Sequence, residues 1–371
     1  MTDLESLLIL NSLPLVGTVR IQLLLKQFGS PENVLRARAQ DLMSVPGIDK
    51  KLSSSIANWE KLVSVEEELR MVEEANVRLM TFLDGEYPEN LKQIYDPPII
   101  LYVKGSLSPK DKHAIAIVGS RRSTLYGRDS ATRLARQLAS AGITIVSGLA
   151  RGIDTAAHEG ALQAKGRTIG VLGSGFHHPY PLENCKLMER IAESGAVISE
   201  YPMRTTPDKM NFPIRNRIIS GLSLGVVVGE APRHSGAMIT ATHALHQNRS
   251  VFAVPGRVDS PTFKGNHRLI KEGAKLVEDA DDILSEFEYL FPPEAMKVEK
   301  GAQGQGPTPL LDEKEQKIFN LLSAEEKDIE EIIIQSGLPA KDVSVILLRL
   351  EVKRLIRQLP GKKFVRARLM T

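Results

Sequence analysis

The chain has 371 residues, 42% hydrophobic and 25% charged, with a formal net charge of +3 at pH 7. That length allows two or three domains with substantial cores, and the near-balance of charge excludes a polycation while leaving room for local basic patches. Cys185 is the single cysteine, which excludes an intrachain disulfide and a cysteine-built zinc site and fits a reducing compartment. The N-terminus, MTDLESLLILNSLPLVG, carries Asp3 and Glu5 where a secretion signal would carry cations, and no apolar run reaches the length of a membrane span. The expectation is a soluble, cytoplasmic protein with no membrane partner.

Residues 1–75 read as a helical domain. The segments LLILNSL, VRIQLLLKQF, ENVLRARAQDLMSV and KLSSSIANWEKLV are helical in pattern, and the breaks between them, LPLVGT, FGSP and VPGI, are short and contain Pro or Gly. Helices joined by such tight turns pack as hairpins.

Residues 76–290 read as alternating strands and helices. AIAIVGS, ITIVSGLA, TIGVLGSG, AVISEYP, LGVVVGE and SVFAVPG are short, nearly continuous apolar runs, as in a parallel sheet buried on both faces. Between the first two lies YGRDSATRLARQLASAG, where Ala131, Leu134, Ala135 and Leu138 form one stripe away from Arg128, Arg133 and Arg136. Repeated βα units predict a Rossmann-like, doubly wound, mostly parallel α/β sheet. Residues 291–309, rich in Gly, Pro and Gln, read as a linker. Residues 310–371 read as three helices and a hairpin around Pro360-Gly361, a winged-helix module. Its charges from Val352 onward (Lys353, Arg354, Arg357, Lys362, Lys363, Arg366 and Arg368) are all basic.

In an open α/β sheet, ligands bind beyond the carboxyl ends of the strands, where loop amides and helix N-termini attract anions. Three strand ends offer suitable residues: Gly119, Ser120, Arg121 and Arg122 in the first run, Ser147 and Gly148 in the second, and Ser235 and Gly236 after the fifth. The dinucleotide fingerprint G-x-G-x-x-G is missing at the first, and no cofactor is predicted. Asp154 and His158 share a helix face, but the favoured role for Asp154 is a helix cap. His177-His178 reads as a polar loop, and the run from Glu278 to Asp282 as dipole-complementing carboxylates, so no metal is assigned. No serine has an evident base, so no catalytic residue is named.

The segment DKMNFPIRNRIISGLS sets Phe212 among Lys209, Arg215, Asn216 and Arg217. One reading is a core ring beside a helix start whose arginines pair internally. The other is a ring offered to a base, with charges offered to phosphates. A ring reaches a base face only when bases are unpaired, so the second reading favours single strands over duplex.

Together IAIVGSRRSTLYG, IVSGLARGIDTAAHEGAL, YPLEN, FPIRNRIISGLS, VVVGEAPRHSGAMITATHAL, VFAVPG and KGNHRLIKEGA resemble the DNA-processing protein A (DprA/Smf) family, in the family's order and over Tyr87 to Ala274. The resemblance implies a single-stranded DNA-binding protein that protects incoming DNA, dimerises through its Rossmann-like domain and loads the RecA recombinase during natural transformation. It also implies that Arg121, Lys209 and Phe212 grip phosphates and stack on a base, and that Ser147, Gly148, Ser235 and Gly236 match the family's strand-end loops. One departure stands at Leu182, where many members carry lysine: either a nearby cation such as Lys186 substitutes, or the groove grips less tightly there. The N-terminal hairpins resemble helix-hairpin-helix or SAM-like modules. Val45-Pro46-Gly47-Ile48 is a candidate phosphate-facing turn and Leu13-Pro14-Leu15-Val16-Gly17 a second, and a purely structural or protein-docking module is the alternative. The basic tail resembles the winged-helix domain of some members and suggests an accessory DNA contact. The rival reading is a nucleotide phosphoribohydrolase on a related scaffold, whose PGGxGTxxE signature is replaced here by GEAPRHSGAMIT.

Overall fold

A computed structural model describes residues 1–287, 311–323, 326–353, 355–359, 361 and 363–366. The chain forms two compact units, residues 1–293 and 294–371. The linker expected at 291–309 lies outside the described residues, as do Pro360, Arg354, Lys362 and Arg368.

In the first unit, strands β1 (Arg78–Thr81), β2 (Ile100–Gly105), β3 (Ala114–Val118), β4 (Thr144–Ser147), β5 (Thr168–Val171), β6 (Ala196–Ser199), β7 (Gly225–Val228), β8 (Ser250–Ala253) and β9 (Lys275–Leu276) form one sheet. Their order is β1-β2-β6-β5-β4-β3-β7-β8-β9. From β6 to β9 the pairs are parallel, whereas β1 and β2 run antiparallel at one edge. The six strands expected from sequence are β3 to β8. The expectation omits β1 and β2 because an antiparallel pair brings no crossover helix of its own. Residues of β2 still alternate between faces: Leu101 and Val103 join one core cluster, Ile100 and Tyr102 the other.

The helix Leu125–Ser140 is capped by Thr124, whose hydroxyl accepts from the Gly127 amide at 3.1 Å. Ala131, Leu134, Ala135 and Leu138 are fully buried, as the apolar stripe requires. Each buried leucine contributes about 1.5–3 kcal/mol.

The N-terminal helices are Asp3–Ser12, Thr18–Phe28, Pro31–Arg36, Ala39–Leu42, Lys50–Ala57 and Val65–Glu74. Two expected helices are shorter than their patterns. ENVLRARAQDLMSV breaks where Ala37 and Arg38 turn extended. KLSSSIANWEKLV stops at Ala57, because the Asn58 side chain bonds the Ser54 carbonyl at 2.8 Å and ends the ladder. Leu7 to Leu10 are fully buried in a cluster shared with Tyr102 and Met203, so these helices pack on one face of the sheet. The Glu68 carboxylate reinforces that contact, accepting from the Tyr102 hydroxyl at 2.8 Å and the Met203 amide at 2.7 Å. Arg20 ties the two candidate turns together, donating to the carbonyls of Gly47 at 3.0 Å and Leu15 at 2.9 Å.

The second unit holds helices Glu313–Leu321, Ile329–Ser336 and Ala340–Val352, then a hairpin of β11 (Ile356–Leu359) and β12 (Lys363–Arg366). A two-residue strand, β10 (Lys327–Asp328), completes a three-stranded sheet and was too short to show in the pattern. Several of the basic residues have internal partners: Lys353 bonds Glu315 at 2.6 Å, Lys363 pairs with Glu326 at 3.3 Å, and the Arg366 guanidinium lies 3.7 Å from the centre of the Phe319 ring. No helix among the described residues is long and apolar enough to cross a membrane.

Candidate nucleic-acid interface

The strand order reverses at β3, which pairs with β4 on one side and β7 on the other. Loops leaving β3 and β7 therefore part, and a cleft of about 690 Å³ opens between them at the carboxyl edge of the sheet. Gly119 and Ser120 from the β3 loop line it, together with Arg121, Lys209, Phe212, Arg215, Asn216, Ser235 and Gly236. A smaller hollow beside it is lined by Arg121, Arg122, Gly148, Arg151, Tyr180, Phe212 and Arg215. Phe212, Tyr180, Arg121, Ala150 and Arg215 line both.

Local packing fixes the walls. At Gly119 a Cβ would stand 2.5 Å from the Ile153 side chain and 2.8 Å from the Glu230 carbonyl, so only glycine lets the β3 loop pass. The Glu230 carboxylate is fully buried and accepts from the Thr124 amide and, at 2.7 Å, from its hydroxyl. An internal anion thus occupies the start of the helix after β3. A helix start without a side-chain cap is that of Gly236–His246: Ser235 makes no cap bond, and its buried hydroxyl is without a partner. An external anion is best received there and by the β3 loop. Asn216 joins this wall to the next helix, donating to the Gly236 carbonyl at 3.2 Å.

Phe212 sits in the first turn of the helix Asn211–Gly221 and is half-buried. The Arg121 guanidinium lies 5.0 Å from the ring centre, that of Arg215 5.9 Å, and the Tyr180 ring 5.5 Å. Arg121, Arg122 and Lys209 are exposed. The ring therefore stands beside two guanidinium groups and a second aromatic ring.

Arg215, Asn216 and Arg217 diverge, because successive helical positions face different ways. Arg215 is buried and donates to the carbonyls of Gly148, at 2.7 Å, and Val171. Burial pulls its guanidinium down to about 10, offset in part by Asp154. Arg217 is a correction: its guanidinium is 5% exposed and consumed by Glu200 at 2.7 Å and Asp96 at 2.9 Å, so it holds the helix to the sheet and faces no ligand. Ser147 is a second correction, fully buried with its hydroxyl on the Ile117 carbonyl at 2.6 Å.

Asp154 is a third. The cap position of its helix belongs to Gly152, and the buried Asp154 carboxylate turns inward to the amides of Gly148 at 3.2 Å and Ala150 at 3.4 Å. Burial pushes its carboxyl up to about 6, while Arg215 and the amides of Ala150, Gly119 and Gly148 favour the anion. His158 is sealed below it, with Nδ1 2.7 Å from the Thr168 hydroxyl. Leu182 is exposed and lines neither hollow, and nor does Lys186; the cation at that end is Arg151, paired with Glu183 at 2.6 Å. The sequence reading missed Tyr180 and Arg151, because an aromatic and a cation on separate loops carry no shared spacing.

Three family models match the chain: DNA recombination-mediator protein A over residues 78–288, a DprA winged helix domain over 303–362, and a SAM-like helix-hairpin-helix tandem over 7–58. The DNA processing protein DprA of Bacillus subtilis (strain 168) is 45% identical over 215 residues, 58% of this chain and 72% of that protein. The X-ray structure of DNA processing protein A from Streptococcus pneumoniae matches with a TM-score of 0.68 at 36% identity, over 77% of this chain and 98% of its own. A Helicobacter pylori DNA processing protein A, described for its single-stranded DNA binding mode, matches with a TM-score of 0.51 at 31% identity, over 58% and 98%.

Proposed function

The chain belongs to the DNA recombination-mediator protein A (DprA/Smf) family, and on that premise we propose that it binds single-stranded DNA in the cleft without cutting it, protects the strand and delivers it to a RecA-type recombinase. It does so in the cytoplasm as a homodimer formed through its Rossmann-like unit, and serves the uptake and recombination of DNA. The supporting observation is the placement of Phe212, a half-buried ring that lines two adjoining cationic hollows. Phosphates pair with Arg121, Lys209 and the amide at Gly236, and an unpaired base lies on the ring. Duplex DNA keeps its base faces stacked and offers nothing to that ring.

A non-catalytic role agrees with the side chains around the cleft. Asp154 is engaged by the amides of Gly148 and Ala150, His158 is sealed beneath the cleft, and Glu230 is spent on Thr124. The test is fluorescence anisotropy with a labelled single strand and the duplex of the same sequence, over a range of salt. Tight, salt-steep binding to the single strand and weaker binding to duplex are expected; equal affinities overturn the reading. Recombinase delivery is checked by its DNA-dependent ATPase on strands already coated with a single-strand-binding protein. Adding this protein is expected to shorten the lag.

A further inference from the structure

The cationic cleft has one carboxylate on its floor. Asp154 lines the larger hollow beside Arg121, Lys209 and Arg215, and its Oδ2 reaches amides of the loop that follows β4. A Cβ on Gly148 would meet Asp154 Oδ2 at 2.8 Å and Arg215 Nη2 at 2.9 Å, so the carboxylate and the guanidinium flank the same peptide. Arg215 in turn backs the Phe212 ring. One buried acid thus connects a strand-end loop, the buried cation and the base platform.

We infer that Asp154 is a proton-coupled positioning residue: its carboxylate holds the strand-end loops and Arg215 in place, and a phosphodiester seated beside it is bound together with a proton. This rests on the proposed binding of a phosphodiester strand in the cleft. An incoming phosphate is a like charge to Asp154 and raises its proton affinity further. Burial already places that carboxyl at about 6, within reach of ordinary assay conditions. The groups facing it do not mask the effect. Arg215 stays cationic in this range, and His158, one turn along the same helix, is held neutral down to about 3 by burial. Arg121, Tyr201 and Glu200 act electrostatically on Arg215. By linkage, proton uptake on binding means affinity that rises as pH falls, by up to tenfold per pH unit for one proton.

The experiment is calorimetric titration of the full chain with oligothymidylate at pH 6.5 in two buffers of different ionisation enthalpy, with affinities measured from pH 8 to 6. The wild type is expected to take up a fraction of a proton and bind more tightly as pH falls. Asp154→Asn is expected to lose most of that uptake and slope; the part it keeps belongs to surface histidines. Asp154→Ser replaces it if the asparagine variant does not fold. Binding without proton uptake, or equal uptake in wild type and variant, overturns the inference and leaves the proposed function intact. Absence of binding at every pH overturns the proposed function itself.

Discussion

Gly173 supports the Phe212 ring: a Cβ built on this glycine would stand 2.7 Å from the ring's Cδ1. The backbone after β5 thereby forms the floor on which the ring rests, with Arg121 and Tyr180 beside it. A methyl group at this position must displace the ring. Gly173→Ala is expected to weaken single-strand binding severalfold while the salt dependence and melting temperature change little. A variant indistinguishable from wild type in anisotropy would show that the ring position is irrelevant to binding.

Charge and stacking are separable. Phe212→Ala should cost about 1–3 kcal/mol of affinity and leave the slope of log affinity against log salt unchanged, since no counterion is involved. Arg121→Ala and Lys209→Ala should each reduce that slope by about 0.7. Binding isotherms at four salt concentrations check all three.

The six central strands, the Leu125–Ser140 stripe and the winged-helix order were legible because each rests on a local period or a run of branched residues. The cleft was legible in outline, since Gly119, Ser120, Arg121, Ser235 and Gly236 stand at strand ends and line it. The opening alternatives for DKMNFPIRNRIISGLS divide by residue: Phe212 lines the cleft, whereas Arg217 is an internal ion-pair partner. Two arginines two apart in a sequence look alike, and only the position of Glu200 and Asp96 in space separates their tasks. The fate of Asp154 was hidden for another reason: its partners, the amides of Gly148 and Ala150, are near in sequence, and only the path of the loop after β4 turns them toward it.

Arg217 provides a contrast to Arg121. Removing one partner of a buried pair leaves an uncompensated charge, at about 3–5 kcal/mol. Arg217→Ala should show that loss in denaturant unfolding, and Arg217→Lys should not restore it, because lysine cannot bridge Glu200 and Asp96 in a planar fork. Arg121→Ala, on an exposed loop, should unfold like the wild type.

His158 makes the first unit sensitive to acid. The Thr168 hydroxyl donates to the Ile145 carbonyl at 2.8 Å, so His158 donates to Thr168 from Nδ1, and its buried Nε2 has no partner. Burial, with Arg215 nearby, lowers its pKa to about 3, whereas the unfolded chain protonates near 6.5. The unfolded state therefore binds more protons between these values. The stability due to the neutral ring is complete above pH 6.5 and declines as pH falls toward 3. Denaturant midpoints from pH 7 to 4 should fall more steeply in the wild type than in His158→Gln.

The two hollows lie next to each other at the rim of the sheet and share Phe212, Tyr180, Arg121 and Arg215. A polymer meets such a rim sideways, and no terminus has to be threaded through it. Closed circles and strands already tethered at both ends are consequently as accessible as fragments, and grip can start anywhere along a molecule of any length.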